Sequence, residues 1–366
     1  MIRGFEKIAL HPKHLKIEAV PKDILYIGAV GFEDRSLGFL KKAASQGKKF
    51  QACVSIEYEP FNKTNRKTEF ADTARQIFGE IQWRTYDRFR PEDFTQTLHE
   101  IMELSRSVSR VIIDVSAMSK MLVVVLLHGL RNLNLPLSIV YAPAEVYHPL
   151  KGDFEETKTK LSDASPYFLT TDVYKVVTTT ALSSIAMQGA PLIMIAFPNF
   201  NHLEIAALIN ETNAQKLFLI ESVGRPKQNA WRLSAIRWIN RGLKTYVKPT
   251  RFHTDALDVN VNIKVLESIY YHWHLTHKIA ISPTGGKLQA LATFCLKNMH
   301  PDIHIVYPVV REFAKDYTQG YLAHSEIFFK NFRSYVAELD HYRTRELSEI
   351  KRIIEMSGTR RDTLET

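Results

Sequence analysis

Short apolar runs alternate along the chain with stretches in which apolar residues return every three or four positions. ILYIGA from Ile24, ACVSI from Ala52, RVIID from Arg110 and LSIVY from Leu137 are continuously apolar rather than alternating. That pattern predicts strands buried on both faces, and the intervening stretches have the period of helices laid against a core. LIMIA from Leu192, KLFLI from Lys216, KIAIS from Lys278 and IHIVYPV from Ile303 repeat the series. A shorter third strand is expected around Trp83–Tyr86 and again around Lys244–Val247. Each half therefore reads as strand and helix in turn, which predicts a doubly wound parallel sheet with its ligand loops along one edge.

The two series match each other at an offset of about 166 to 168 residues, the signature of an internal repeat. Ile24–Ser36 corresponds to Leu192–Glu204, and the tripeptides Ile139–Tyr141 and Ile305–Tyr307 set the register. The expected α/β architecture is two tandem doubly wound parallel sheets, from an internal duplication, with a helical C-terminal tail. The first sheet falls in 1–150 and the second in 191–322, joined by a linker at 151–190 whose YKVVTTTAL reads as a strand or hairpin. From 323 to 366 the spacing of Phe328, Phe332, Tyr335, Leu339, Tyr342, Leu347, Ile350 and Ile354 predicts helix that packs on the body or on a second subunit.

Composition narrows the function more than the fold. Lys and Arg number 48 against 39 Asp and Glu, a net charge of +9 that favours a polyanionic partner. Cys53 and Cys295, the two cysteines, cannot build a disulfide framework or a four-cysteine zinc site. The N-terminal residues lack a signal-peptide core, and the longest uncharged stretch, Val176–Leu203, is broken by polar residues and two prolines. The expectation is a cytoplasmic protein with no membrane partner.

The chemistry concentrates in loops that follow strands. In SPTGGK, Gly285 and Gly286 let main-chain N–H groups approach a ligand, Ser282 and Thr284 add hydroxyls, and Lys287 adds a full charge at a helix N-terminus. The same residues would also serve an ordinary capped turn. It is not a Walker A loop, because the four spacers and the Gly-Lys-Ser/Thr ending are missing. The counterpart DVSAMSK sets Asp114, Ser116, Ser119 and Lys120 in the equivalent turn, with Lys120 matching Lys287. Asp114 is either a base or a helix cap. After the first strand, Glu33 and Arg35 stand where a ligand would lie, with Asn201 in the second half, and each has an equally good reading as a capping or solvated residue.

A second feature is a basic strip with interleaved aromatics between Ser222 and Thr254, including Arg232, Arg237, Arg241 and Lys244. It is suited to tracking a phosphate backbone and stacking bases, although Trp231 and Trp238 fit the buried face of a helix equally well. The cluster His272, His274 and His277 does not fall on one helical face, and no metal or other cofactor is expected.

With strand, SPTGGK and helix in sequence, the second half resembles the CRISPR-associated Rossmann fold (CARF) domains. The body from about residue 24 to 310 resembles two such domains fused, as in SAVED sensors, and those families bind cyclic oligonucleotides across a dimer or pseudo-dimer cleft. The resemblance implies a sensor of a cyclic or linear oligonucleotide messenger in antiviral defence, with Ser282, Thr284, Gly285, Gly286 and Lys287 as ligand contacts and Ser116, Ser119 and Lys120 as the weaker counterpart. It implies an effector protein or second copy reached through the C-terminal helices. The alternatives are a metal-independent phosphodiesterase in which Lys287 stabilises phosphate charge while a 2′-hydroxyl oriented by Ser282 or Ser119 attacks, and a DNA- or RNA-binding protein using the strip.

Overall fold

The computed structural model describes residues 5–61, 65–160, 169–223, 229–242, 247–314 and 317–342 of the 366-residue chain. Its elements begin with α1 (Phe5–Ile8), β1 (Lys13–His14), β2 (Ile24–Ala29), α2 (Gly38–Ser45), β3 (Ala52–Glu59), α3 (Lys67–Arg75) and β4 (Ile81–Asp87). Next come α4 (Thr95–Ser105), β5 (Arg110–Asp114), α5 (Lys120–Gly129), β6 (Leu137–Tyr141), β7 (Val146–Tyr147), α6 (Lys151–Lys160) and β8 (Thr170–Val177). The second series is β9 (Leu192–Ala196), α7 (His202–Thr212), β10 (Lys216–Val223), α8 (Trp231–Ile239), β11 (Pro249–Asp255), α9 (Val259–Trp273), β12 (Lys278–Ser282) and α10 (Lys287–Met299). It closes with β13 (His304–Ile305), β14 (Tyr307–Phe313), β15 (Thr318–Gln319) and β16 (Ser325–Phe329).

The protein is α/β. One sheet has the order β1-β16-β6-β5-β2-β3-β4 and the other β11-β10-β9-β12-β13. In both, the first parallel strand of the series, β2 or β9, lies at the centre, with the next two strands on one side and the last two on the other. Alternate residues of β2 enter separate apolar clusters, Leu25 and Ile27 on one face and Ile24 and Tyr26 on the other, so the strand is buried twice over. That double burial is why it reads as an unbroken apolar run.

Three expectations are corrected. The first sheet is not purely parallel: β16 pairs antiparallel with β6, and β1 pairs antiparallel with β16. The segment from 323, read as wholly helical, thus opens with a strand, and helix follows at 332–342. Phe329 is buried while Phe328 is exposed, the alternation of a strand whose spacing to Phe332 mimics a helical period. Within 332–342, Phe332, Leu339 and Tyr342 join the core, and Tyr335 donates to the Ile8 carbonyl oxygen at 3.0 Å. Leu347, Ile350 and Ile354 lie outside the described residues. The third strand of the second sheet is Pro249–Asp255 rather than the stretch around Lys244–Val247. As an edge strand it leaves Thr250, Arg251 and His253 exposed, so no apolar run marks it.

The linker region contributes β8, which pairs antiparallel with β14 in a separate two-stranded ribbon, with a register shift at Val309/Val310. The two sheets meet through α5 and α10, which pack against each other. Met121–Leu127 of α5 are apolar throughout and buried, and Leu288–Cys295 of α10 are buried with Gln289 and Thr293 among them, as in helices enclosed on all sides. Strand residues of both sheets, Ile27 and Ile195 among them, share one apolar cluster with these helices. Among the described residues, no helix is long and apolar enough to cross a membrane.

Candidate functional site

In each sheet the strand order reverses beside the central strand, between β2 and β5 and between β9 and β12. Open sheets bind ligands at such switch points, outside the carboxyl ends of the strands. Here the four loops that leave those strands converge on one cavity of about 680 Å³, which lies between the two sheets. Its wall includes Glu33 and Arg35 after β2, Ser119 and Lys120 after β5, Asn201 after β9, and Thr284, Gly285, Gly286 and Lys287 after β12. The β8/β14 ribbon supplies Thr170, Tyr307, Val310 and Phe313, and Tyr317 follows it.

Lys120 and Lys287 are the first residues of α5 and α10, and both line the cavity. Lys287 Nζ reaches over the join and donates to the carbonyl oxygen of Met118, in the loop that precedes Lys120. Their environments differ. Burial holds Lys287 well below the ordinary lysine range, and Arg35 and Lys120 push the same way against a weaker pull from Glu33. Burial also opposes the charge on Lys120, but Tyr307, Tyr317 and the carboxylates of Glu204 and Glu33 outweigh it and hold that ammonium above its usual range. The carboxylates carry the physical weight of that effect, since the phenols are themselves pushed up by burial. Burial pushes Glu204 up to about 7, against Lys120 and the amide of Asn199, which donates to it at 2.8 Å.

Several candidates are held by their own neighbours. Arg35 donates to both oxygens of Glu33, at 2.7 and 3.0 Å, and Thr318 Oγ1 donates to the same carboxylate at 2.7 Å. Asn201 caps α7, accepting from the Leu203 N–H at 3.0 Å while its amide donates to Thr170. Ser119 caps α5 through the Leu122 N–H, and its own N–H donates to the Tyr58 hydroxyl at 2.7 Å. Thr284 Oγ1 ties its loop to the Phe197 backbone, donating to the carbonyl at 2.8 Å and accepting from the N–H at 3.1 Å. Gln289 folds back over the glycine loop and accepts from the Gly286 N–H at 2.8 Å. A Cβ on Gly285 would lie 2.1 Å from that amide oxygen, so the first glycine makes room for Gln289, whereas at Gly286 the nearest atom would be 3.7 Å away.

Asp114, Ser116 and Ser282 do not line the cavity. Asp114 points into the sheet, accepting from the Ser116 N–H at 3.0 Å and the Tyr26 hydroxyl at 3.2 Å, and burial pushes it up to about 6. Ser116 Oγ accepts from the Ala142 N–H at 2.9 Å. Ser282 is fully buried. Asp114 and Ser116 turn inward to serve backbone N–H groups, whereas Ser282 Oγ, at the last position of β12, has no hydrogen-bond partner among the described residues.

The basic strip is divided. Arg232 enters the cavity wall, where its guanidinium donates to the Tyr147, His148 and Pro149 carbonyls at 3.0 to 3.1 Å and lies 4.6 Å over the Phe200 ring. Arg237 is bound to the buried carboxylate of Glu221 at 2.6 Å, with Arg251 on its other oxygen. Arg241 lies 3.7 Å over the Trp238 ring. Trp231 and Trp238 are partly buried and pack on Phe154, as the helix pattern allowed. Lys244 is outside the described residues. Among the described residues no cluster of His, Cys, Asp and Glu is arranged to hold a metal ion.

The pattern of the sequence missed the aromatic wall. Tyr141 and Tyr307 both line the cavity, each as the last residue of an Ile-Val-Tyr tripeptide. The tripeptides, one closing β6 and the other leading from β13 into β14, were the signal available for them. Tyr58 and Tyr317 reach the site through tertiary folding and carry no local mark.

No family model matches the chain, and no curated protein is similar to it. Among solved structures, LpCGTa in complex with UDP aligns over 91% of this chain and 94% of that one, with 11% identity and a TM-score of 0.23. A likeness of that size carries no argument about fold or ligand.

Proposed function

We propose that the protein is a sensor that binds a short cyclic or linear oligonucleotide between two CARF-like halves, in the manner of a fused SAVED-type pair. The observation that carries this reading is that both strand-order switch points open on one cavity, with Lys120 and Lys287 at the first turn of matched helices. On this reading the halves descend from one duplicated Rossmann-like unit, and their shared strand order and the paired Tyr141 and Tyr307 support it. Helix N-termini and lysines attract phosphate, and tyrosine and phenylalanine rings offer faces for bases. A volume of about 680 Å³ lies inside the range of small-ligand pockets, about 300 to 1,000 Å³, and suits a short ligand rather than a polynucleotide.

A sensor signals only when its ligand prefers one state of the cleft. The ribbon that roofs the cavity and the helix from 332 are the elements through which closure would reach an effector protein or second copy in antiviral defence. The test is calorimetry of cyclic and linear di- to tetranucleotides on the full chain, beside Lys287→Ala and Lys120→Ala, with the ligand mass measured afterwards. Saturable binding, weakened in both variants, with intact ligand recovered, supports the sensor. Cleaved ligand would replace it with the phosphodiesterase, and no binding by any nucleotide would overturn the reading.

A further inference from the structure

The two matched lysines are chemically unequal. We infer that Lys287 is a nucleophilic amine that condenses with the carbonyl carbon of a small anionic aldehyde or ketone admitted to the cavity, while Lys120 holds the anion. This goes beyond the nucleotide reading and stands or falls without it.

The geometry around Lys287 is that of an amine denied its proton. It sits at the first residue of α10, where the helix N-terminus opposes positive charge, and the N-terminus of α5 with Lys120 faces the same cavity. Arg35 adds a third cation, and the neighbouring carboxylate, Glu33, is bridged to that guanidinium. The partner of Nζ is an uncharged carbonyl, that of Met118, and among the described residues Lys287 forms no ion pair. A desolvated lysine beside other cations keeps its lone pair near neutral pH, the arrangement of amines that form Schiff bases. The direction of its titration agrees. Lys287 is nevertheless partly accessible from the cavity, so a small molecule reaches it. Lys120, which keeps its proton beside Glu204 and Glu33, supplies the charge for a phosphate or carboxylate on the same molecule.

The step is a condensation. The Nζ lone pair adds to the carbonyl carbon, the π pair moves to the oxygen, and that oxygen takes a proton as nitrogen loses one to water. Expulsion of water from the carbinolamine then leaves the imine, so one water is released per carbonyl bound and no oxidant or reductant is required.

The experiment treats the full chain at pH 7.5 with pyridoxal 5′-phosphate and, separately, with glyoxylate, reduces with borohydride, and maps adducts by peptide mass spectrometry. The expected result is modification of Lys287 at least tenfold faster than of any other lysine, with Lys120→Ala slowing both anionic probes more than it slows propionaldehyde, which reports only the change in the amine's own protonation. Labelling spread over exposed lysines, with the Lys287 peptide unmodified by either probe, would overturn the inference. Glyoxylate is small enough that size cannot account for such a failure.

Discussion

The amine-bearing arm of Lys287 reaches from the start of α10 to the carbonyl oxygen of Met118, in the loop ahead of α5, so one hydrogen bond ties the switch point of one sheet to that of the other. A group in this position senses whatever enters between them.

Anion binding should therefore be linked to proton uptake. In the empty cavity burial, Arg35 and Lys120 hold Lys287 well below its usual range, and an anion beside it restores the proton. The group's affinity for protons is higher in the complex, so binding takes up a proton and weakens as pH rises through the complex's value. Calorimetry of the nucleotide ligand in buffers of different ionisation enthalpy measures the uptake. We expect close to one proton for the wild type and none for Lys287→Ala, with a 10- to 100-fold loss of affinity from a charged hydrogen bond worth about 1.5 to 3 kcal/mol.

The two glycines of the loop should respond differently to alanine. At Gly285 a methyl group meets Gln289 Oε1 at 2.1 Å and Phe197 Cβ at 2.8 Å, while at Gly286, with φ of −80°, nothing is closer than 3.7 Å. Gly285→Ala is expected to lower stability by about 1 to 3 kcal/mol through overpacking and loss of the Gln289 cap. Gly286→Ala should stay within about 1 kcal/mol of wild type, in the direction of lower unfolded-chain entropy. Urea unfolding of both, and of Gly285→Ala with Gln289→Ala, separates the clash from the cap: the second substitution should recover part of the loss.

Arg232 offers a third test, because its role differs from that of the strip it belongs to. Its planar fork serves the Tyr147, His148 and Pro149 carbonyls together and stacks on Phe200, and burial pulls it down to about 10. Lysine cannot reproduce that fork. Arg232→Lys should cost about 1 to 3 kcal/mol in thermal or urea unfolding, since it leaves buried carbonyls short of donors. If this residue instead served a polynucleotide, the variant would unfold like wild type and lose only salt-sensitive DNA or RNA binding.

What the sequence conveys follows from how each segment is buried. β2, β5, β9 and β12 are covered on both faces and announce themselves as apolar runs. β4 and β11 are edge strands with half-exposed residues, and β16 hides in a spacing that a helix shares. At the site, Lys120 and Lys287 are legible because a residue at the start of a helix after a central strand must face the sheet edge. Asp114 and Ser282 occupy the last position of their strands, and nothing local says that they turn inward. Tyr58 and Tyr317 join the wall only once the ribbon has folded over the two sheets, a long-range event that no window of sequence records.

Asp114 gives the last prediction, and its sign separates a buried turn-holder from a ligand contact. Its carboxyl is 3% exposed, and burial raises it to about 6 although the Ser116 N–H and the Tyr26 hydroxyl favour the ionised form. Against an unfolded value of about 3.9, the native state holds the proton more tightly. The group's contribution to stability is therefore fully present below about pH 4 and is lost as pH rises through 6. Asp114→Asn keeps an acceptor for the Ser116 N–H and removes the titration. Measured by urea unfolding, the stability of the variant relative to wild type should rise by about 2 to 3 kcal/mol between pH 4 and pH 8, two units at about 1.4 kcal/mol each. A difference that stays flat with pH would mean that the wild-type carboxylate is stabilised where it lies, by charge the fold must then draw from Arg35 across the turn.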